Sequence, residues 1–112
     1  MEFKTSSSPF GSQTRTRVMV LLSLLGSSYP LELSRLVGSG NSVVRKALAS
    51  LARDGLVAGR LTGRTRVFTL TPTYFAAKEL RSYLQRLAEA DRELRQRAAQ
   101  LRRRPRWIGK PL

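Results

Sequence analysis

With 112 residues the chain fits one domain, and a hydrophobic content of 41% supplies one modest core. Lys and Arg number 21 against 7 Asp and Glu, a formal charge of +14, which points to a polyanionic partner, either nucleic acid or an anionic membrane. There is no Cys, which excludes disulfides and thiolate metal sites, and no His, the commonest metal ligand and general base; no cofactor, metal site or catalytic set is expected.

Residues 1–13 are polar and read as a disordered lead-in. A first helix is predicted from Thr14 to Leu25, with Val18, Leu21, Leu22 and Leu25 in a stripe at i, i+3, i+4, i+7 and Gly26 at its end. Its run from Val18 to Leu25 is too short to span a bilayer, and no secretory cleavage pattern lies beside it. Arg15 and Arg17 occupy the first turn, where the helix dipole disfavours cations. They are either solvated charge or contacts to a phosphate backbone at the flank of the motif that follows. Tyr29-Pro30 starts a second helix or a short strand before it, since Pro suits the first helical turn. Leu33, Leu36 and Val37 share a helical face, and Gly38-Ser39-Gly40 breaks the chain.

A third helix is predicted from Asn41 to Asp54, with Val44, Ala47, Leu48 and Leu51 on the core side and Gly55 as its left-handed stop. Two short helices around a Gly-containing turn make a helix-turn-helix pattern. Residues 56–61 and 66–71 then read as two strands joined by Thr62-Gly63-Arg64-Thr65, a hairpin of the longer-loop kind. The pattern LxxLxxDGLV followed by GRTRVFTLT, over residues 48–57 and 63–71, resembles the winged-helix DNA-binding regulators of the MarR- and ArsR-like type. The resemblance covers about residues 14–87; the turn Gly38-Ser39-Gly40 departs from the family's usual small-apolar-polar turn.

The resemblance implies that the third helix enters the major groove of duplex DNA with its N-terminal half. Arg45 and Lys46 would then donate to guanine and Asn41 pair with adenine, with Ser42 and Ala49 on the same exposed surface. Arg45 and Lys46 also read as phosphate contacts or as solvated charge, and Val43 as either a groove-edge residue able to touch a thymine methyl or core. In the hairpin, Arg64 at the tip suits a narrow minor groove, followed in order by Arg66 and Arg60, with Thr65 beside them. Arg60 and Arg66 are expected on one solvent face, opposite Leu61 and Val67. Simple solubility and edge protection of the ribbon is the alternative.

Thr71-Pro72 reads as a helix cap and first turn, and no Gly or Pro follows until Pro105. A helix of about 30 residues would be about 45 Å long, longer than a small domain. Leu80, Leu84, Leu87, Asp91, Leu94, Ala98 and Leu101 recur at alternating steps of four and three, a heptad seam with one acid in it. That seam predicts a homodimer, with Asp91 paired to the partner's arginines. Residues 105–112 form a basic tail holding Trp107, either solvated or in contact with DNA or the partner subunit.

The expected fold is thus mainly α with a small β-hairpin, an α+β chain. The winged helix-turn-helix domain is placed at residues 14–71, the dimerisation helix at 72–104 and the tail at 105–112. The expected function is a non-enzymatic homodimer that binds double-stranded DNA as a transcriptional regulator. It would be cytoplasmic and nucleoid-associated, with no membrane partner and no effector ligand named by the sequence. The alternatives are an architectural DNA or RNA binder without sequence preference, and a winged-helix protein–protein adaptor.

Overall fold

The computed structural model of the protein describes residues 9–103. Five helices and three strands follow in the order α1 (Gln13–Leu25), β1 (Ser27–Ser28), α2 (Pro30–Val37), α3 (Asn41–Arg53), β2 (Val57–Thr62), β3 (Thr65–Leu70), α4 (Ala77–Ala90) and α5 (Arg92–Arg103). The first helix is the centre of the fold. Val18, Met19, Val20, Leu21 and Leu22 are all buried, so α1 is apolar all round rather than along the predicted stripe. It has that character because α2, α3, α4, α5 and β3 all pack against it. Leu25, predicted as core, is only half-buried at the edge.

The lead-in is shorter than expected. The Ser12 hydroxyl caps α1 by accepting from the Arg15 amide at 3.1 Å. Phe10 packs against the core and lies 6.2 Å from the Tyr83 ring. Residues 9–13 therefore belong to the domain; residues 1–8 and the tail from residue 105, with Trp107, lie outside the described residues.

The turn between α2 and α3 is built from its own sequence. Gly38 takes φ 84° as the left-handed cap of α2, its N–H bonded to the Ser34 carbonyl. The Ser34 hydroxyl donates to the Ser39 carbonyl at 2.6 Å and holds the turn from within. At the far end of α3, Gly55 N–H reaches the Ala52 carbonyl and Leu56 N–H the Leu51 carbonyl, both at 3.0 Å. This is the paired-bond helix stop that a left-handed glycine permits, and Gly55 has φ 79°.

The hairpin is tighter than the predicted four-residue loop. Thr62 pairs with Thr65, leaving only Gly63 and Arg64 in the turn. The short strand that was the alternative at Tyr29-Pro30 falls just before it, at two serines: Ser27 pairs with Thr69 and Ser28 with Phe68, so the sheet order is β1-β3-β2. Directly opposite residues share a face. Arg60 stands opposite Val67 and Arg66 opposite Leu61, so the two arginines lie on opposite faces of the ribbon, not together as predicted.

The C-terminal third corrects the single long helix. Thr71 is not a helix cap: its N–H extends the ladder to the Leu56 carbonyl, and its hydroxyl is buried without a partner among the described residues. Two successive turns, closed by Tyr74 N–H to Thr71 and Ala77 N–H to Tyr74, come before α4 begins. The helix then breaks at Asp91. Its carboxylate accepts from the Leu94 amide at 3.1 Å, making it the N-cap of α5, and takes the Arg17 guanidinium at 3.2 Å on its other oxygen. Arg95 donates to the Ala88 carbonyl at 3.0 Å and covers the end of α4. The expected pairing of Asp91 with a partner's arginine is thus replaced by a pair within the chain. The break returns α5 to the domain: Leu84, Leu87, Leu94 and Ala98 are buried in the chain's own core, with Leu80 and Leu101 half-buried at its margin.

Candidate nucleic-acid interface

Helix α3 has one face in the core and the other in solvent. Val44, Ala47, Leu48 and Leu51 are buried. At about 100° per residue the direction opposite these four runs through Ser42, Lys46, Ala49 and Arg53. All four are exposed, as are Asn41 and Arg45 on one flank and Val43 on the other. The sequence reading placed Asn41, Ser42, Arg45, Lys46 and Ala49 on this surface, and there they are. It also placed Arg53 on this surface, as observed, without proposing it as a DNA contact, and left Val43 undecided. Projecting the helix from its four core positions would have put Val43 outside the core.

The N-terminus of α3 follows Gly40 and has neither a capping side chain nor an acid in its first turn. Its first amides therefore face outward unpaired by side chains, the polarity that favours an anion. The hairpin brings Arg60, Arg64 and Arg66 out beside this domain, all exposed, with Thr65 exposed at the turn. Gly63 takes φ 68° at the turn, and Arg64 is carried at its outer end. Leu61, on the same face as Arg66 and 65% exposed, lies beyond the core.

Charge is segregated along the fold. Between Leu33 and Ala77 the sequence has one acid, Asp54. Arg15 holds it at 2.9 Å. Arg45, Lys46, Arg53, Arg60, Arg64 and Arg66 form no ion pair among the described residues. The remaining described acids are the buried Glu32, which accepts from the Ser28 hydroxyl, and the carboxylates of α4, α5 and their junction. The surface of α3 and the hairpin thus keeps a positive field with nothing nearby to cancel it.

Arg15 and Arg17 are internal. The Arg15 guanidinium donates to the Phe10 carbonyl, to the Ser50 hydroxyl and to Asp54, tying α1 and the chain before it to the second half of α3. Arg17 is held by Asp91 with both side chains mostly covered. Neither is carried forward as a backbone contact. Their position in the first turn of a helix suggested free charge because the acids that hold them are 39 and 74 residues away in sequence.

Three helices with a three-stranded sheet whose outer hairpin projects beside an exposed helix face are found together in known structures. The adhesin competence repressor (AdcR) of Streptococcus pyogenes superposes with a TM-score of 0.63 and 21% identity, over 88% of this chain and 72% of its own. The chain has the winged-helix fold. ZitR of Lactococcus lactis, a double-substituted variant in apo form, superposes with a TM-score of 0.56 and 20% identity, over 82% and 74% of the two chains. Neither a protein-family model nor a curated protein sequence matches the chain. In winged-helix terms α2 and α3 are the helix-turn-helix and the β2–β3 hairpin is the wing. No described helix is long and apolar enough to cross a membrane, and among the described residues no group of three His, Cys, Asp or Glu could hold a metal ion.

Proposed function

We propose that this winged-helix chain binds double-stranded DNA in a sequence-dependent way and acts as a transcriptional regulator. The observation that carries the reading is the solvent face of α3, which is basic, unpaired and uncovered by any other element. In this reading the N-terminal half of α3 lies in the major groove. Arg45 and Lys46 donate to guanine edges or to phosphates, Asn41 reads adenine, and Arg53 holds the backbone. Arg64 follows the flanking minor groove, with Arg66 and Arg60 on the two sides of the wing. The similarity to a protein described as a repressor agrees with this role.

The functional unit we propose is a homodimer, which gives two recognition helices for two half-sites about one helical turn apart. Support for pairing comes from two exposed aromatic side chains rather than from the seam of leucines. Phe75 is 90% exposed, and Tyr83 on α4 is also exposed against Phe10. Aromatic side chains are enriched where subunits meet.

In vitro selection of bound sequences from a random duplex pool tests the proposal. A two-fold symmetric enriched site is the expected result, and Arg45→Ala should cost about 1–3 kcal/mol on it while relaxing selectivity at one base pair per half-site. Equal affinity for selected and random duplexes would instead establish a binder without sequence preference, the reading that the charge of +14 favours.

A further inference from the structure

We propose that Val43 is a specificity-determining residue that recognises the 5-methyl group of a thymine. The inference rests on α3 lying in the major groove and names what one position of that helix reads there. Val43 and Val44 are adjacent, yet Val44 is fully buried and Val43 is 48% exposed. Val43 is the third residue of α3 after Gly40. At this position a Glu or Gln side chain would reach back and stabilise the helix start, whereas a β-branched side chain loses rotamer freedom. The fold therefore gains little from a valine here.

Its surroundings give the apolar group a context. Ser42 precedes it and Lys46 lies one turn on, both exposed and both hydrogen-bond donors. The two γ-methyl groups stand as an apolar spot among donors, near the end of the helix that faces outward. Among the base edges of the major groove the thymine methyl is the one projecting apolar group, set beside hydrogen-bond donors and acceptors. A branched aliphatic side chain beside donors matches an edge on which a methyl sits next to the O4 acceptor.

The test uses the full chain and a duplex enriched by selection, with each thymine replaced in turn by deoxyuridine. That change removes the 5-methyl group and keeps every hydrogen-bonding atom. The unsubstituted protein should lose about fourfold in affinity at one position of the half-site, the worth of one buried methyl group. Val43→Ala should bind the thymine and uracil duplexes alike, with an unchanged thermal melt, while Arg45→Ala should keep the uracil sensitivity. An enriched site whose thymines all tolerate uracil, or a Val43→Ala protein that still distinguishes the two, would overturn the assignment and leave the DNA-binding reading standing. Failure to enrich any duplex would overturn both.

Discussion

Phe68 and Gly59 show how a single position can be fixed by its neighbour across the sheet. They are directly paired in the β2–β3 ladder. A Cβ on Gly59 would lie 2.8 Å from the Phe68 ring, and Phe68 is itself buried between strands and core. Gly59→Ala should therefore destabilise by about 1–3 kcal/mol through overpacking. A thermal melt reads the loss, and Gly59→Ala combined with Phe68→Leu should lose less than the two single changes added; strict additivity would mean the ring is not the obstacle. Arg64 has the opposite character, since nothing in the fold depends on it. Arg64→Ala should leave the melt unchanged, weaken selected and random duplexes alike, and reduce the slope of log K against log salt by about 1. An unaltered slope would remove the wing tip from the interface. At this scale helical periodicity put the basic residues of α3 in solvent as observed. In the wing Arg60 and Arg66 are both exposed but on opposite faces, because the pairing of the two strands decides which residues share a face. The ion pairs of Arg15 and Arg17 were not legible, because their partners come from elements distant along the chain.

The α4–α5 junction separates what periodicity can decide from what it cannot. A stripe at steps of four and three is what a long helix needs to pair with a second copy. It is also what two shorter helices need to cover their own domain, so the spacing of Leu84, Leu87, Leu94 and Ala98 fits both. The discriminating residue was Asp91, which was read as a flaw in a seam and proves to be a cap. Asp91→Ala should remove that cap and leave the Arg17 guanidinium half-covered and unpaired, costing about 2 kcal/mol in all. The expected fall in Tm is about 10 °C, and Arg17→Ala added to it should cost little more. Two independent, additive losses would show that the pair does not act as one unit. By contrast the three elements of the helix-turn-helix and wing were legible almost to the residue. Gly38, Gly55 and Gly63 mark their ends with backbone angles that other residues rarely adopt.

Over the whole molecule the apolar inventory decides how a dimer can form. Leu87 and Leu94 are buried inside one chain. Replacing both by Asp, which an intermolecular seam would turn into a folded monomer, should instead unfold the protein, because each change buries a carboxylate without a partner. Circular dichroism distinguishes the two outcomes directly. For the unsubstituted chain, sedimentation at tens of micromolar should give a dimer, and Phe75→Ser with Tyr83→Ser should shift it toward monomer while retaining native helix content. A monomer from the unsubstituted chain would remove the paired mechanism. The charge distribution acts at the same scale. The cations of α3 and the wing have no acid among them, whereas on α4, α5 and their junction four acids stand among the basic residues, so the molecule should approach a polyanion with α3 and the wing foremost.

The Arg15 clamp has a mechanical meaning as well. It grips α3 at Ser50 and Asp54, while the opposite end starts at Gly40 with no capping side chain. The root is tied by side-chain hydrogen bonds that the helix start lacks, an arrangement expected to act as a cantilever, and its free end is the one proposed to enter the groove. Amide hydrogen exchange should register this as a gradient, slow from Leu51 to Leu56 and faster from Val43 to Lys46. Arg15→Ala should flatten it by loosening the root, so that the whole rod rocks and the tip meets its target with a less defined pitch.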